Sequence, residues 1–451
     1  MSSLTMTSLT ATAVVPPLDA HTTVVLLCNL GGLLAVAVLL GRLAAHFHMP
    51  PVVGELCAGV LLGPSLLAHL APGLSAWLLP PDPARMHLLD AVGQLGVLLL
   101  TGMTGMQLDL GLVRRRGASA ARISLFGIVL PLGLGVGAGF LVPGSLLPDT
   151  ADRGTFAAFL GVAMGVSAIP VIAKTLTEMR LLHRDVGQLT LCAVAIDDII
   201  GWILLSAVSA MATSTLTAHS LLAHLAWVPV VLLAALLLRP PIRALLRAVT
   251  RSGTPGLFLA TVTVLLLLAA AGTQAAGLEG VFGAFLCGVV IGSTGFATPE
   301  RCAALTTVVL AVLAPLYFAT AGLRVDLTAL GRPAVLLTAV VVLALAVFGK
   351  FAGAYLGARL SRMGHWEGLA LGAGMNARGV IEVIVAMVGL RLGVLSPALY
   401  TIVVLVAVIT SLMAPPVLRV AMAKVEHTAE ERLREHAAVA DLSPAPSTEH
   451  R

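Results

Sequence analysis

Charge is what this chain has least of. Asp, Glu, Lys and Arg make up 11% of its 451 residues, hydrophobic residues make up 58%, and the mean hydropathy is +1.00. A soluble globular chain carries about a quarter charged residues. The shortage excludes an ordinary soluble domain and points to repeated membrane crossing. A formal charge of +5 and a pI near 9.2 would fit a nucleic-acid partner. The arginines, however, sit in short gaps between apolar runs, so no nucleic-acid partner is expected. Cysteine is scarce as well. Cys28, Cys57, Cys192, Cys287 and Cys302 lie in or beside apolar runs without a pairing pattern, which reads as small packing residues rather than a disulfide framework. The twelve histidines show no metal-ligand spacing, and His46 and His48 read as surface residues at a span edge. No nucleophile, metal or phosphate site emerges, so no enzyme activity and no cofactor are expected. A basic, cleavable start is missing too. The chain opens on polar residues with prolines, so the first apolar run reads as a span rather than a signal peptide.

Long apolar runs are what fill the sequence. A helix needs about 20 residues to cross the hydrocarbon. Such runs lie at 22–45, 52–71, 88–107, 119–142, 155–176, 187–210, 221–238, 255–272, 276–296, 303–323, 334–357, 366–389 and 396–418. They predict an all-α polytopic membrane protein with about thirteen transmembrane helices. Continuous rather than alternating hydrophobicity excludes a β-barrel. Lys and Arg at the odd-numbered gaps total fourteen, from Arg42 to Arg362, against five at the even-numbered ones: Arg85, Arg153, Arg324, Arg332 and Arg391. The richer side is cytoplasmic, which places the N-terminus outside and the C-terminus inside. From about Ala421 the chain reads as a short, charged cytoplasmic tail at 421–451, solvated and partly disordered.

Two pieces of sequence recur. Gly54–Gly63, GELCAGVLLG, matches Gly283–Gly292, GAFLCGVVIG, with the same glycine spacing. GMQLDL at Gly105–Leu110 matches GLRVDL at Gly322–Leu327. Each pair keeps its place, seven spans apart. An odd offset reverses the direction of crossing, so this is an inverted-topology repeat, a mark of secondary transporters. Spans two to six match spans nine to thirteen. In such folds the substrate site lies near mid-membrane, where helices are interrupted. Span five carries GVAMGVSAIPVIAKT, with Ser167 and Pro170. Span twelve carries GAGMNARGVIEV, with Asn376, Arg378 and Glu382. Both make poor continuous helices at matching places. Backbone broken at that depth lines a cavity or is buried in protein.

Span six, GQLTLCAVAIDDIIGWILLSAV, puts Asp197 and Asp198 at its middle. One carboxylate there costs about 2.5–3.5 kcal/mol on insertion scales. Neighbours on a helix point about 100° apart, so one aspartate can hold a partner while the other faces an aqueous cavity. Lys350, in LALAVFGKFAGAYLGARL of span eleven, is the partner within reach. Arg378 and Glu382, four apart, have the spacing of a local ion pair. Ser167, Thr101 and Asn376 are candidates to complete an oxygen shell for a monovalent cation. A multivalent ion would call for more oxygens and charge.

At these residues the chain resembles the monovalent cation:proton antiporter superfamily, in its Kef-like and NapA-like branch. The motifs are PPVVGELCAGVLLGPS, LTGMTGMQLDL, AIDDIIGW, APLYFATAGLRVDL, GKFAGAYLGARLSR and GMNARGVIEVIVA, reaching from about Pro50 to Pro416. The resemblance implies an NhaA/NapA-like fold with two crossed, broken helices and a sodium/hydrogen exchanger-type membrane domain over 1–420. It implies core spans at 88–210 and 303–418, and dimerisation spans at 22–71 and 221–296, in a homodimer. It also implies that Asp198 binds the cation, that Asp197 pairs with Lys350, and that exchange of Na+ or K+ for H+ is electrogenic and runs by alternating access. Kef-type systems append a nucleotide-binding domain with a Gly-rich fingerprint. Nothing after Pro416 could form one, so no such regulation is expected. Other readings are a gated cation channel of the same fold and a sodium-coupled organic-anion carrier. A bacterial plasma membrane, the lipid bilayer around the spans, is the expected location.

Overall fold

The computed structural model describes residues 18–47, 49–79, 83–108, 110–149, 151–213, 218–428 and 431. His48, Asp109 of the GMQLDL motif and residues 432–451 of the expected tail lie outside them. Among the described residues there is no β-strand; eighteen α-helices carry the chain. α1 (Ala20–His46) and α2 (Pro51–Leu62) are followed by the short α3 (Leu67–Leu70) and α4 (Pro72–Leu78). α5 (Pro83–Met106) and α6 (Leu110–Leu141) lead to a broken pair, α7 (Arg153–Gly165) and α8 (Ile169–Glu178), and then to α9 (Asp185–Thr213). α10 (Ala218–Arg251), α11 (Pro255–Ala275) and α12 (Gly280–Gly292) come next. α13 (Pro299–Val308) runs through a π-helical turn into α14 (Ala314–Gly322). α15 (Pro333–Leu360) precedes the second broken pair, α16 (His365–Met375) and α17 (Val380–Arg391), and α18 (Pro397–Met422) closes the series.

Eleven helical stretches are long and apolar enough to cross a membrane, and the bent pair α16–α17 makes a twelfth. The remaining run of the thirteen, at 276–296, is the 13-residue α12. It stops short because Gly277 and Gly295 take positive φ on either side of it, where glycine escapes the Cβ clash.

The helices sort into two packed groups. α6–α9 and α15–α18 pack chiefly on one another; α1, α2, α5 and α11–α14 form the second group, with α10 against α11 and α12. α5 and α14, from the runs expected in the core at 88–107 and 303–323, pack chiefly against α12 and α2 instead. The repeated glycines explain that placement. A Cβ on Gly59 of α2 would lie 1.9 Å from the carbonyl oxygen of Ala319 in α14. One on Gly288 of α12 would lie 2.0 Å from the carbonyl oxygen of Gly102 in α5. The glycine-rich helix of each repeat copy is thus pressed against the second helix of the other copy, with no room for a side chain.

α6 and α15 meet as closely, and their contact carries the site. A Cβ on Gly353 would stand 2.2 Å from the carbonyl oxygen of Phe126. Gly353→Ala forces these helices apart, and overpacking of this kind costs about 1–3 kcal/mol. The expected result is a lower melting temperature in detergent, while Gly137→Ala, which would meet nothing within 4 Å, leaves it unchanged or higher.

Candidate ion-binding site

The two broken helices cross at their breaks. Val166 and Ala168 are extended, and Pro170 falls in the first turn of α8, where its missing N–H costs nothing. In the second break Gly379 holds φ at 146°, a conformation side-chain-bearing residues rarely adopt, and α17 starts beyond it at a 45° bend. The breaks are joined directly. The amide of Ala168 donates to the carbonyl of Ala377 (3.2 Å), and Ser167 Oγ lies 2.9 Å from the carbonyl oxygen of Met375.

Four helix ends therefore face one another inside the protein, and three of them, the C-terminus of α7 and the N-termini of α8 and α17, meet a group of suitable charge. The C-terminal carbonyls of α7 attract cations: Lys350 Nζ donates to Gly165, and Arg378 Nη1 donates to Ala163 at 3.2 Å. Arg378 Nη2 reaches the carbonyl of Ala346 on α15 at 3.1 Å, and Nη1 lies 3.4 Å from Glu382 Oε1 in the first turn of α17. The carbonyl of Arg378 in turn accepts from Ser411 on α18. Arg378 and Glu382 thus tie the breaks to α7, α15 and α18.

Asp197 and Asp198 are both 0% exposed, yet they are treated differently. Asp197 accepts three hydrogen bonds: from Lys350 Nζ to Oδ2 (2.8 Å), from Ser167 to Oδ2 (2.9 Å) and from Ser124 to Oδ1 (2.5 Å). Asp198 accepts none by ordinary geometry among the described residues. Only the amide of Ile169, at the N-terminus of α8, faces it. Both amide atoms of Asn376, 0% exposed in the second break, are also without a partner among the described residues. Buried polar groups are normally satisfied, each bare one costing about 1–3 kcal/mol. The bare carboxylate thus faces the positive end of a half-helix in the first break, and a bare amide sits in the second.

The bare polar groups continue along α9. Trp202 Nε1, Ser206 Oγ and Ser209 Oγ are buried and unpaired among the described residues. They follow Asp198 at steps of four, four and three, one side of the helix. Trp202 packs there against Phe285 of α12, ring centroids 6.3 Å apart. This side of α9 thus faces the second helical group.

Near the C-terminal end of α17 a cavity of about 390 Å³ opens between the groups, lined by His87, Asp90, Glu279, Tyr317, Arg324 and Arg391 among others. Asp90 accepts both bonds from Arg324 (2.7 and 2.8 Å), and Glu279 both from Arg391 (3.0 and 2.8 Å). The second pair joins the N-cap of α12 to the end of α17, across the boundary between the groups.

Of the residues singled out in the sequence, Asp197, Asp198, Lys350, Ser167, Asn376, Arg378 and Glu382 meet at the crossing, and Pro170 begins α8. Thr101 instead donates its hydroxyl to the carbonyl of Val97 in its own helix (2.7 Å). Ser124 was not foreseen: one serine in the run RISLFGIV carries no signal, and only the packing of α6 on α9 brings it to Asp197. Trp202, Ser206 and Ser209 were likewise missed, though their spacing from Asp198 could have shown them.

A profile of the transmembrane sodium/hydrogen exchanger family matches residues 33–424. The chain is 31% identical over 402 residues to the Na+/H+ antiporter NhaS4 of Synechocystis sp., covering 88% of this chain and 97% of that protein. It is 32% identical over 392 residues to cation/H+ antiporter 17 of Arabidopsis thaliana, covering 85% of this chain but 47% of that protein, so the chain spans about half the length of that relative. It is 27% identical over 389 residues to K+/H+ antiporter 1 of Saccharomyces cerevisiae, again covering less than half of that protein. The structure of the sodium proton antiporter MjNhaP1 from Methanocaldococcus jannaschii at pH 8 superposes with a TM-score of 0.66 at 16% identity, over 89% of this chain and 99% of that one, a likeness of fold. The chain is a member of the sodium/hydrogen exchanger family of the monovalent cation:proton antiporter superfamily.

Proposed function

We propose that the protein exchanges a monovalent cation, Na+ or K+, for protons by alternating access. The observation that carries this reading is the unequal environment of two adjacent buried carboxylates. Asp197 is held by Lys350, Ser124 and Ser167, while Asp198 is left without an ordinary hydrogen bond at the α8 N-terminus. In this mechanism Asp198 takes up either a proton or a dehydrated cation, and Ser167 and Asn376 complete the cation's oxygen shell. Competition for the same oxygens couples the two fluxes. Lys350 keeps Asp197 charged and out of that competition, and an exchange in which two carboxylates and one lysine share the charges is electrogenic.

The moving core comprises α6–α9 and α15–α18, and the rest is the scaffold. The unpaired side of α9 lies at their seam, where water and ions reach Asp198. Two chains associate through the scaffold, by the first span with α10–α12, in a bacterial plasma membrane with the C-terminus cytoplasmic. The names of the relatives, which include both Na+/H+ and K+/H+ antiporters, support the ion class.

Proteoliposomes holding the full chain test the reading. A step of Na+, K+ or Li+ outside should alkalinise the lumen, because each cation that enters sends protons out, and a pH step should drive the cation against its own gradient. Flux only down the gradient would indicate a passive channel. Exchange indifferent to membrane potential would refute the electrogenic form.

The Glu279–Arg391 pair adds a second expectation. It spans core and scaffold, so one arrangement of the two bodies keeps it and the other breaks it. Glu279 is 4% exposed and both its oxygens accept from Arg391 Nη2, so a coupling near the upper end for accessible pairs applies, about 1 kcal/mol or fivefold in a two-state equilibrium. Arg391→Gln should therefore shift the cation half-saturation by up to about that factor. The exchanged pair, Glu279→Arg with Arg391→Glu, should return it toward the parent value. Equal half-saturation in all three proteins would remove the latch.

A further inference from the structure

The chain beyond α18 does not leave the protein at once. The described residues that follow, 423–428 and 431, fold back onto the turn between α8 and α9. Arg184, 3% exposed, is the anchor. Its Nη2 donates to the carbonyls of Val425 (3.0 Å) and Glu426 (3.2 Å), its Nη1 lies 3.0 Å from His427 Nε2, and its Nε lies 3.1 Å from Glu431 Oε2. Glu431, 2% exposed, takes the amide of Asp185 on Oε1 (2.7 Å) and that of Thr428 on Oε2 (3.0 Å). Thr428 Oγ1 accepts the amide of Glu431 in return (3.2 Å), a reciprocal capping turn. Val425 packs against the cluster of Leu176, Leu181, Val186 and Leu418, which joins α8, α9 and α18.

The amide of Asp185 is the first of α9, the helix that carries Asp197 and Asp198. Its N-terminal donors have no partner within the helix. A carboxylate there satisfies one of them and lies at the positive end of the helix dipole. In a chain with so few charges, an end-segment carboxylate that is almost wholly buried against a buried arginine is not part of a solvated tail. Burying a charge costs several kcal/mol unless it is paired.

We propose that Arg184 and Glu431 are positioning residues for ion exchange: the segment after α18 is a strap that fixes the start of α9, and through it the register of Asp198 at the helix crossing. The proposal rests on Asp198 being the ion carrier. The strap ties together the two halves of the repeat, because α18 packs on α16 and α17 while α9 packs on α7 and α8. The crossing pins these helices at mid-membrane, and the strap pins them at one end.

Its dependence on pH follows from the contacts. Burial pushes the Glu431 carboxyl up, but the amides of Asp185 and Thr428 and the Arg184 guanidinium together hold it below the ordinary carboxylate range. A carboxyl lowered by folding gives its full contribution above its unfolded value and loses it as pH falls through the lower folded value. The Glu431 carboxylate therefore contributes in full above the ordinary carboxylate range, and its share of the strap is lost only as pH falls below that range.

The test is hydrogen exchange on the full chain in lipid nanodiscs, paired with cation half-saturation and maximal rate in proteoliposomes. Glu431→Ala should raise amide exchange several-fold in the first turn of α9 and leave exchange in α11 unchanged. It should raise the cation half-saturation several-fold with a smaller change in maximal rate. Glu431→Gln keeps an acceptor for the Asp185 amide and should fall between Glu431→Ala and the parent. Unaltered exchange at the start of α9 in Glu431→Ala overturns the strap. Altered exchange with unaltered half-saturation overturns the positioning role. Asp198→Asn separates this from the reading on which it rests: it should leave the exchange pattern of α9's first turn intact, and if it also leaves ion exchange intact the carrier assignment is what fails.

Discussion

Asp198→Asn abolishes cation-driven proton movement in everted vesicles and proteoliposomes, to the level of empty liposomes, and leaves the protein folded. The substitution is nearly isosteric, so packing around α9 is kept. What disappears is a buried carboxylate that, among the described residues, accepts no hydrogen bond by ordinary geometry, and with it the group that takes a proton in one half of the cycle and a cation in the other. An amide carbonyl still offers a cation one oxygen, but it neither binds a proton nor supplies charge to offset dehydration. The stability outcome is as diagnostic as the flux. Asp198 accepts no hydrogen bond among the described residues, and an unsatisfied buried group costs about 1–3 kcal/mol, more when charged. Replacing it should hold the melting temperature level or raise it. A structural residue shows the opposite pattern, losing stability along with activity. Retained cation-dependent proton flux would remove Asp198 as the carrier.

Much of this site was legible in the sequence because it breaks a strong pattern. In runs of Leu, Val and Ala, a charge is conspicuous: the doublet at Asp197 and Asp198, Lys350, Arg378 and Glu382 all stand out. The glycines and the proline beside them mark where helices break. The pairing of Asp197 with Lys350 also follows from scarcity, since few cations lie at that depth. Groups that look ordinary in an apolar run were not legible. Ser124 is one serine among many until α6 packs on α9. Trp202, Ser206 and Ser209 count only because their partners are missing, and absence of a partner is a property of the fold. Helix grouping was hidden for a related reason. α5 and α14 are as apolar as the core helices, and hydropathy does not say which neighbour a span packs against; the repeated glycines did, once the close approaches were visible. Glu431 was hidden differently. A segment such as KVEHTAEERL reads as solvated from its charge, and only three-dimensional contact shows that one of those charges has left water.

Lys350→Ala is the substitution that separates pairing from transport most sharply. Lys350 and Asp197 are each 0% exposed, and their salt bridge is 2.8 Å long. Removing one member of such a pair strands the other charge and costs about 3–5 kcal/mol. Two serine hydroxyls still reach Asp197, which keeps the loss toward the lower end. The carbonyl of Gly165 also loses its cation, which weakens the cap on α7. Lys350→Ala should therefore melt well below the parent. Lys350→Ala combined with Asp197→Asn should recover much of that loss, because the double variant buries no unmatched charge. The cycle of single and double variants gives the coupling energy directly. Transport responds on a separate axis. Without the lysine, Asp197 is free to bind cation or proton, so the charge moved per cycle changes, and the voltage at which exchange reverses in proteoliposomes should shift. A double variant that is stable and exchanges ions with a changed reversal voltage would assign Lys350 the task of holding Asp197 out of the reaction. A reversal voltage equal to the parent's in every variant would show that the pair serves only the fold and that the charge balance of exchange is set by Asp198 alone.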